Sequence, residues 1–243
     1  MQKFKNKYRV RSAECDMFNQ MRLRSLFNIL QDCADLHAEK LGFGYSFCIQ
    51  NQLTWMGTGY HLLIDRLPQR DEDLIVETWP SASLGITAIR DFEIKDGEGN
   101  SLIKATSSWA LIDLKRKRPV PIQKYLGDLV LTNERALISD FKKIILPEEL
   151  DLITPALIRQ DDIDINQHVN NAVYPSLILD VFDKDFFETC GLNELKIQFK
   201  SGAIKENEVA IFSKIEDNKS HHLIASPQKD VEFARVEASW ILK

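Results

Sequence analysis

Hydrophobic positions fall into two similar blocks along the chain. Leu23, Leu26, Phe27, Leu30, Ala34, His37 and Leu41 follow three- and four-residue steps, the spacing of one buried helix face, and Gly42 supplies the stop. Before this helix, residues 9–16 alternate loosely and predict a strand. After it the period shortens. Leu53 to Ile64, Leu74 to Trp79, Leu84 to Lys95 and Leu102 to Leu114 predict four strands, the third closed by the turn signal Asp96-Gly97-Glu98-Gly99-Asn100. Strands with no helix between them cannot form parallel pairs, which need long crossovers. The pattern predicts an α+β unit, an antiparallel sheet with the helix packed on one face.

The second half repeats the layout. Thr154 to Ile165 reads as a strand, and Val169, Val173, Leu177 and Val181 form a helical stripe at four-residue steps. Strands follow at Leu195 to Phe199, Val209 to Ile215, His222 to Ala225 and Val231 to Leu242. Two letter matches support duplication. Asn19-Gln20-Met21 and Asn166-Gln167-His168 precede the two helices, and Ala105-Thr106-Ser107-Ser108-Trp109-Ala110-Leu111 and Val236-Glu237-Ala238-Ser239-Trp240-Ile241-Leu242 close the two halves. This alignment sets Met21 against His168, so a site built on the motif occurs once per chain. The expected division is 1–121 for the first unit, 122–150 for a linker with one short helical piece and the breakers Gly127, Asn133 and Pro147, and 151–243 for the second unit.

Composition narrows the function classes. The chain has 243 residues, 44% hydrophobic and 28% charged, with a net charge of −5, which argues against a nucleic-acid binder that needs a clustered positive surface. No apolar run approaches the ~18 residues of a membrane span. The segment Met1-Gln2-Lys3-Phe4-Lys5-Asn6-Lys7 lacks the apolar stretch of a secretory signal. Cys15, Cys33, Cys48 and Cys190 are far apart and form no C-x-x-C pair, so they read as reduced thiols in a cytoplasmic protein with no metal site. Cys190 is read as structural, His37 as a core histidine, and His221-His222 as surface beside a hairpin turn. Trp55, Trp79, Trp109 and Trp240 are read as sheet core, and Lys115-Arg116-Lys117-Arg118 as a solvated strand end that an acidic partner could also meet.

The densest polar cluster is Asp161-Asp162-Ile163-Asp164-Ile165-Asn166-Gln167-His168-Val169-Asn170-Asn171. In an extended segment Asp164, Asn166 and His168 share one face, directly before a helix whose free N–H groups favour developing negative charge. A carboxylate, an amide and an imidazole so placed suit attack of water on an ester or thioester carbonyl. His168 would take the proton, Asn166 would orient the imidazole or the carbonyl, and Asp164 would fix the tautomer of His168 or accept the proton itself. Three plainer readings compete: helix capping, a structural histidine, and the opening of a calcium loop at Asp162-x-Asp164-x-Asn166. The calcium loop lacks its glycine and glutamate, since Gln167 and Val173 stand there.

Asp164-Ile165-Asn166-Gln167-His168-Val169-Asn170-Asn171, with Tyr174 after it, resembles the signature of the acyl-acyl-carrier-protein thioesterases, the plant plastid enzymes and their bacterial relatives. Further resemblances run through Tyr8-Arg9-Val10-Arg11-Ser12 with Asp16, Leu30-Gln31-Asp32 with His37-Ala38, Glu77-Thr78-Trp79-Pro80, Arg90-Asp91-Phe92, Ala105 to Trp109, and Ile112-Asp113 through Arg118-Pro119. The resemblance implies a double hotdog fold, two tandem units each with a long helix wrapped by an antiparallel sheet. It implies hydrolysis of the thioester of fatty acyl-acyl carrier protein in fatty acid biosynthesis, with no cofactor and with the carrier protein as partner. Asp164, Asn166 and His168 match the family's catalytic residues, and the first unit is expected to hold the acyl chain. One position departs. Many relatives carry a Glu, often followed by Cys, where Gly202-Ala203 stand here; Glu206 and Glu208 are the nearest acids in sequence. Acyl-coenzyme A hydrolysis, enoyl thioester hydration and an acyl-binding protein without turnover remain rival readings, and a homodimer stays open.

Overall fold

The computed structural model describes residues 3–127, 131–132 and 134–243, with Leu84 described by its main chain only; Met1, Gln2 and the linker residue Asn133 lie outside the described residues. Contacts divide the chain into two units, Met1–Met21 with Asn28–Asp140, and Arg22–Phe27 with Phe141–Lys243.

The first unit holds strand β1 (Phe4–Arg9), most of helix α1 (Leu23–Lys40), helix α2 (Tyr45–Asn51), and strands β2 (Leu53–Ile64), β3 (Asp73–Leu84), β4 (Thr87–Asp96) and β5 (Ser101–Asp113). A two-residue strand β6 (Arg118–Pro119) pairs with β5, and a short helix α3 (Ile122–Leu126) follows. The antiparallel sheet has the order β1-β3-β4-β5-β2. The sheet wraps α1: the ring of His37 stacks on Phe4 with centroids 5.4 Å apart, and Asn6 Nδ2 donates to the buried Cys33 Sγ. Leu26, Phe27, Leu30 and Cys33 are fully buried, as the helical spacing requires. Gly42, at φ 83°, takes the left-handed conformation just past α1 that a side chain would oppose.

The second unit holds β7 (Leu152–Ala156), α4 (Tyr174–Leu177), α5 (Lys184–Thr189), β8 (Cys190–Phe199), β9 (Val209–Glu216), β10 (Lys219–Ala225) and β11 (Glu232–Leu242). Its antiparallel order, β8-β11-β10-β9-β7, is the first sheet's order strand for strand. Even the bulges coincide. Trp109 and Ser108 pair with Gly57 and Gly59, leaving Thr58 as the extra residue; Trp240 and Ser239 pair with Leu192 and Glu194, leaving Asn193.

The segment between the sheets is tied down by hydrogen bonds to its main chain and by one buried ion pair. The Trp79 indole N–H donates to Glu134 O (2.7 Å), and Arg135 Nε donates to the buried Asp91 Oδ2 (2.7 Å) in the first unit. In the second unit Gln198 accepts Ile144 N–H (2.9 Å) and donates to Phe141 O (3.1 Å).

Some expected elements differ. The strand expected at residues 9–16 lies earlier, over Phe4–Arg9, because Glu14 accepts the Arg11 N–H (2.8 Å) and turns residues Ser12–Glu14 into a 3-10 helix. Thr154 to Ile165 is a strand only to Ala156, for the equivalent reason at Asp162. The stripe Val169, Val173, Leu177 and Val181 predicts one continuous helix. The chain instead forms the short α4 and a 3-10 turn at Ile178–Val181. Pro175 in the first turn of α4 and the Ser176 hydroxyl, which donates to Val173 O (2.6 Å), set that geometry.

His221-His222 also departs from its surface reading. β10 is an inner strand, so one of two adjacent side chains must face the core. His222 is 0% exposed; its Nδ1 lies 2.7 Å from Ser213 Oγ and its Nε2 2.8 Å from Ser220 Oγ. Burial, and then the neighbouring His221, hold its pKa down at about 3, against an ordinary 6.5. The unfolded chain therefore binds this proton as pH falls through 6.5, while the folded chain resists it to about 3. Stability is complete above pH 6.5 and is lost toward pH 3, by up to about 1.4 kcal/mol per pH unit from this group. Urea unfolding between pH 7.5 and 4 should show this slope, and His222→Gln should flatten it; an equal slope in the variant would refute a buried neutral imidazole.

Candidate active site

The loop that carries the polar cluster is a closed turn, not an extended strand. Ile163 and Val169 form an isolated antiparallel bridge. Between them Asp164 N–H donates to His168 O (2.8 Å) and Gln167 N–H to Asp164 O (3.0 Å). The Asp164 carboxylate lies inside the turn, where Oδ1 accepts the N–H of Asn166 (2.8 Å) and of His168 (3.4 Å). Aspartate favours such local bonds to main-chain groups ahead of it. Gln167 completes the turn at φ 62°, a left-handed value.

The turn fixes His168. Its Nδ1 lies 2.9 Å from Asn166 O. A carbonyl only accepts, so Nδ1 carries the proton in the neutral ring and Nε2 keeps its lone pair. Nε2 has no partner among the described residues, and the residue is exposed. The Asn166 carbonyl thus sets the direction of the imidazole, while the exposed Asn166 side-chain amide has no partner among the described residues. Asp164 acts on the main chain around the histidine, while the tautomer is set by Asn166.

Gly202 lies against this ring. A Cβ built on it would meet His168 Cδ2 at 2.6 Å, far inside van der Waals contact. The absent side chain at this position therefore makes room for the imidazole. The next residue is tied down from both sides: Ala203 O accepts Val169 N–H (2.7 Å), and Ala203 N–H donates to the Tyr174 hydroxyl (3.0 Å). Burial, and the nearby Asp164 carboxylate, push the Tyr174 pKa up to about 12, so it remains a neutral phenol. Glu206 and Glu208 are exposed.

The helix start expected just after His168 is five residues further on, at α4. The N–H groups of Asn166, Gln167, His168, Val169 and Asn170 are already spent on acceptors within the loop and its flanks. Of the groups named, the Asn166 amide is the free donor.

The first unit contains the same turn, bond for bond. Asp16 Oδ1 accepts the N–H of Phe18 and Gln20 (2.9 Å each), Asp16 N–H donates to Gln20 O (2.8 Å), Asn19 stands at φ 66°, and Cys15 bridges Met21. This corrects the letter alignment by one residue. His168 corresponds to Gln20, Asn166 to Phe18, and Met21 to Val169. Met21 N–H donates to Pro68 O (2.7 Å) as Val169 does to Ala203, so Leu67 stands where Gly202 stands.

The first unit offers a cavity of about 100 Å³ beside α1, lined by Ala34, Ala38, Phe43, Trp55, Trp109 and Leu126, with Arg90 in its wall. Trp55 and Trp109 are half-buried around this space, whereas Trp79 and Trp240 are sheet core. Arg90 Nη1 donates to His37 Nδ1 (3.1 Å) and Thr78 Oγ1 (3.2 Å). Burial lowers the Arg90 pKa to about 10, and burial together with Arg90 lowers that of His37 to about 4, which leaves His37 a neutral acceptor. Sequence spacing marked His37 as a core residue but gave no sign of its arginine.

Solved structures share the architecture, and the class it defines is the double hotdog. A 12:0-ACP thioesterase from Umbellularia californica superposes with a TM-score of 0.87 at 22% identity, covering 99% of this chain and 98% of that one. An acyl-ACP thioesterase from Bacteroides thetaiotaomicron gives 0.86 at 21% identity, covering 98% of each. Residues 1–129 match the acyl-ACP thioesterase N-terminal domain and residues 148–242 the acyl-ACP thioesterase C-terminal domain. The chain belongs to the acyl-ACP thioesterase family. A chloroplastic acyl-[acyl-carrier-protein] hydrolase of Cuphea viscosissima is 28% identical over 258 residues, covering 96% of this chain and 62% of the relative. A chloroplastic palmitoyl-acyl carrier protein thioesterase of Gossypium hirsutum is 24% identical, covering 91% and 57%. The chain thus spans roughly three fifths of the length of these two relatives.

The contact at Gly202 yields a test. Gly202→Ala should push the imidazole off the Asn166 carbonyl, visible as a change in the His168 ring nitrogen chemical shifts away from the Nδ1–H tautomer. Unaltered shifts would show that the ring does not rest on Gly202.

Proposed function

We propose that this chain hydrolyses the thioester of fatty acyl-acyl carrier protein, releasing the free fatty acid. The observation that carries the reading is the turn Asp164–His168, which holds an imidazole with a free Nε2 lone pair and an unpartnered amide on one short loop in a chain of this family. His168 Nε2 takes a proton from water as the oxygen attacks the thioester carbonyl carbon. The Asn166 amide donates to the oxyanion of the tetrahedral intermediate. When the C–S bond breaks, the proton passes from His168 to the departing thiolate, giving acid and thiol. Asp164 holds the turn through Oδ1, and its negative charge favours the imidazolium formed on the way. This role grows in weight because Gly202 supplies no carboxylate. All the residues named belong to one chain, so the chemistry calls for no second copy.

The acyl chain is assigned to the first unit's cavity, whose walls are mostly apolar, with Gln31, Asp35 and Arg90 as the polar residues. Carrier protein rather than coenzyme A is the partner on the strength of the family, with Lys115-Arg116-Lys117-Arg118, an exposed turn running into β6, as a basic surface for it. The four cysteines are free thiols, which suits a reducing cytoplasm. No helix among the described residues is long and apolar enough to cross a membrane.

A panel of acyl-carrier-protein and acyl-coenzyme A thioesters of graded length, followed by thiol release, tests the reading. His168→Ala should lower kcat by about 10²- to 10⁴-fold, the usual worth of a general base. Wild-type turnover in that variant, or no thiol release from any thioester by the wild type, would sink it.

Asp164→Asn separates charge from shape, because the amide oxygen still accepts the two N–H groups. It should keep the thermal midpoint and cost about 10²-fold in kcat. Full activity with an unchanged pH profile would remove Asp164 from the chemistry. In the cavity, Ala34→Leu should move the preference toward shorter chains without touching the turn. An unchanged length profile would take the acyl chain elsewhere.

A further inference from the structure

Asp162 is the most buried acid of the loop, at 4% exposure, and it ties the loop at both ends. Its Oδ2 accepts Arg159 N–H (2.7 Å) on the way in, and its carbonyl accepts Asn170 N–H (2.8 Å) on the way out. Its remaining oxygen, Oδ1, faces Arg24 Nη1 at 2.5 Å, and the other arm of that guanidinium donates to Asp161 O at 2.9 Å. Arg24 is on α1, early in the chain, yet its segment Arg22–Phe27 groups with the second unit.

The first unit shows what Arg24 replaces. Glu14 occupies the position of Asp162: it accepts Arg11 N–H (2.8 Å) with one oxygen and the Tyr8 hydroxyl with the other. Tyr8 is on β1, and the matching residue of β7 is Ala156, which has no donor. The second copy of the loop has therefore lost its own-strand anchor and closes on a cation from elsewhere in the sequence. A guanidinium suits this task because its planar fork bonds a carboxylate and a carbonyl together.

We propose that Arg24 is a positioning residue for His168, acting through Asp162 to hold the turn that aims the imidazole. The kinetic part of this inference rests on the hydrolase reading. A misplacement of about 1 Å at a reacting group is enough to cost ~10²-fold in rate.

The test measures kcat, KM, thermal midpoint and the ring nitrogen shifts of His168 in Arg24→Gln and Arg24→Lys. Arg24→Gln should lower kcat by ~10-fold or more, leave KM within about twofold, and move the ring from the Nδ1–H tautomer to a mixture. Arg24→Lys returns a cation to Asp162 and should recover most of kcat. Asp162→Asn leaves no buried charge and serves where Arg24→Gln does not fold; with one acceptor oxygen in place of two, it should reproduce the same kcat loss and ring shift. A folded Arg24→Gln or Asp162→Asn protein with wild-type kcat and an unchanged tautomer overturns the proposal, as does a loss confined to KM. If the wild type releases no thiol, the hydrolase reading fails, and the His168 ring shifts alone decide the role of Arg24.

Discussion

One carboxylate oxygen accepting main-chain N–H groups two and four residues ahead closes the same turn twice in this chain, at Asp16 and at Asp164. Each turn lies between the first strand of its sheet and the helical segment that follows. The bond does the work of a cap where no regular structure supplies partners for these donors. In the second unit it leaves the Asn166 carbonyl facing the imidazole of His168. The orientation of the imidazole is a by-product of how the main chain satisfies itself.

Local periodicity and turn residues made much of the fold legible. β2 spans Leu53–Ile64 as the apolar pattern indicated, and Gly42 ends α1 as expected. Duplication was legible from the match around Trp109 and Trp240, which sit beside the same bulge in both sheets, whereas the match before the helices was one residue out of register. Two things were hidden because they depend on contacts distant in sequence. Nothing local to Gly202 says that a ring fills the space above it, or that Arg24 meets Asp162 across well over a hundred residues. The turn at Asp164 was hidden for a different reason. Ile163 and Ile165 alternate with polar residues as in a strand, yet Ile165 is 85% exposed, so the alternation encodes no buried face.

Buried charge is handled by two means. In the first, Arg90 is buried against neutral acceptors, His37 and Thr78, and burial depresses the pKa of both basic groups. In the second, the buried acid Asp162 has a cation of its own. Buried polar groups are tolerable only when bonded. His222, caught between two serine hydroxyls, is the neutral version of the same rule.

The retained turn at Asp16 has a consequence for what the first unit could become. It keeps the full main-chain scaffold while carrying Phe18, Gln20 and Leu67 in place of amide, imidazole and glycine. The turn therefore closes without those groups, and the two halves differ here by three side chains laid over one scaffold. The first unit is in this sense a spare template: exchanging those three residues would lay the groups proposed for the chemistry over main-chain bonds that already stand there.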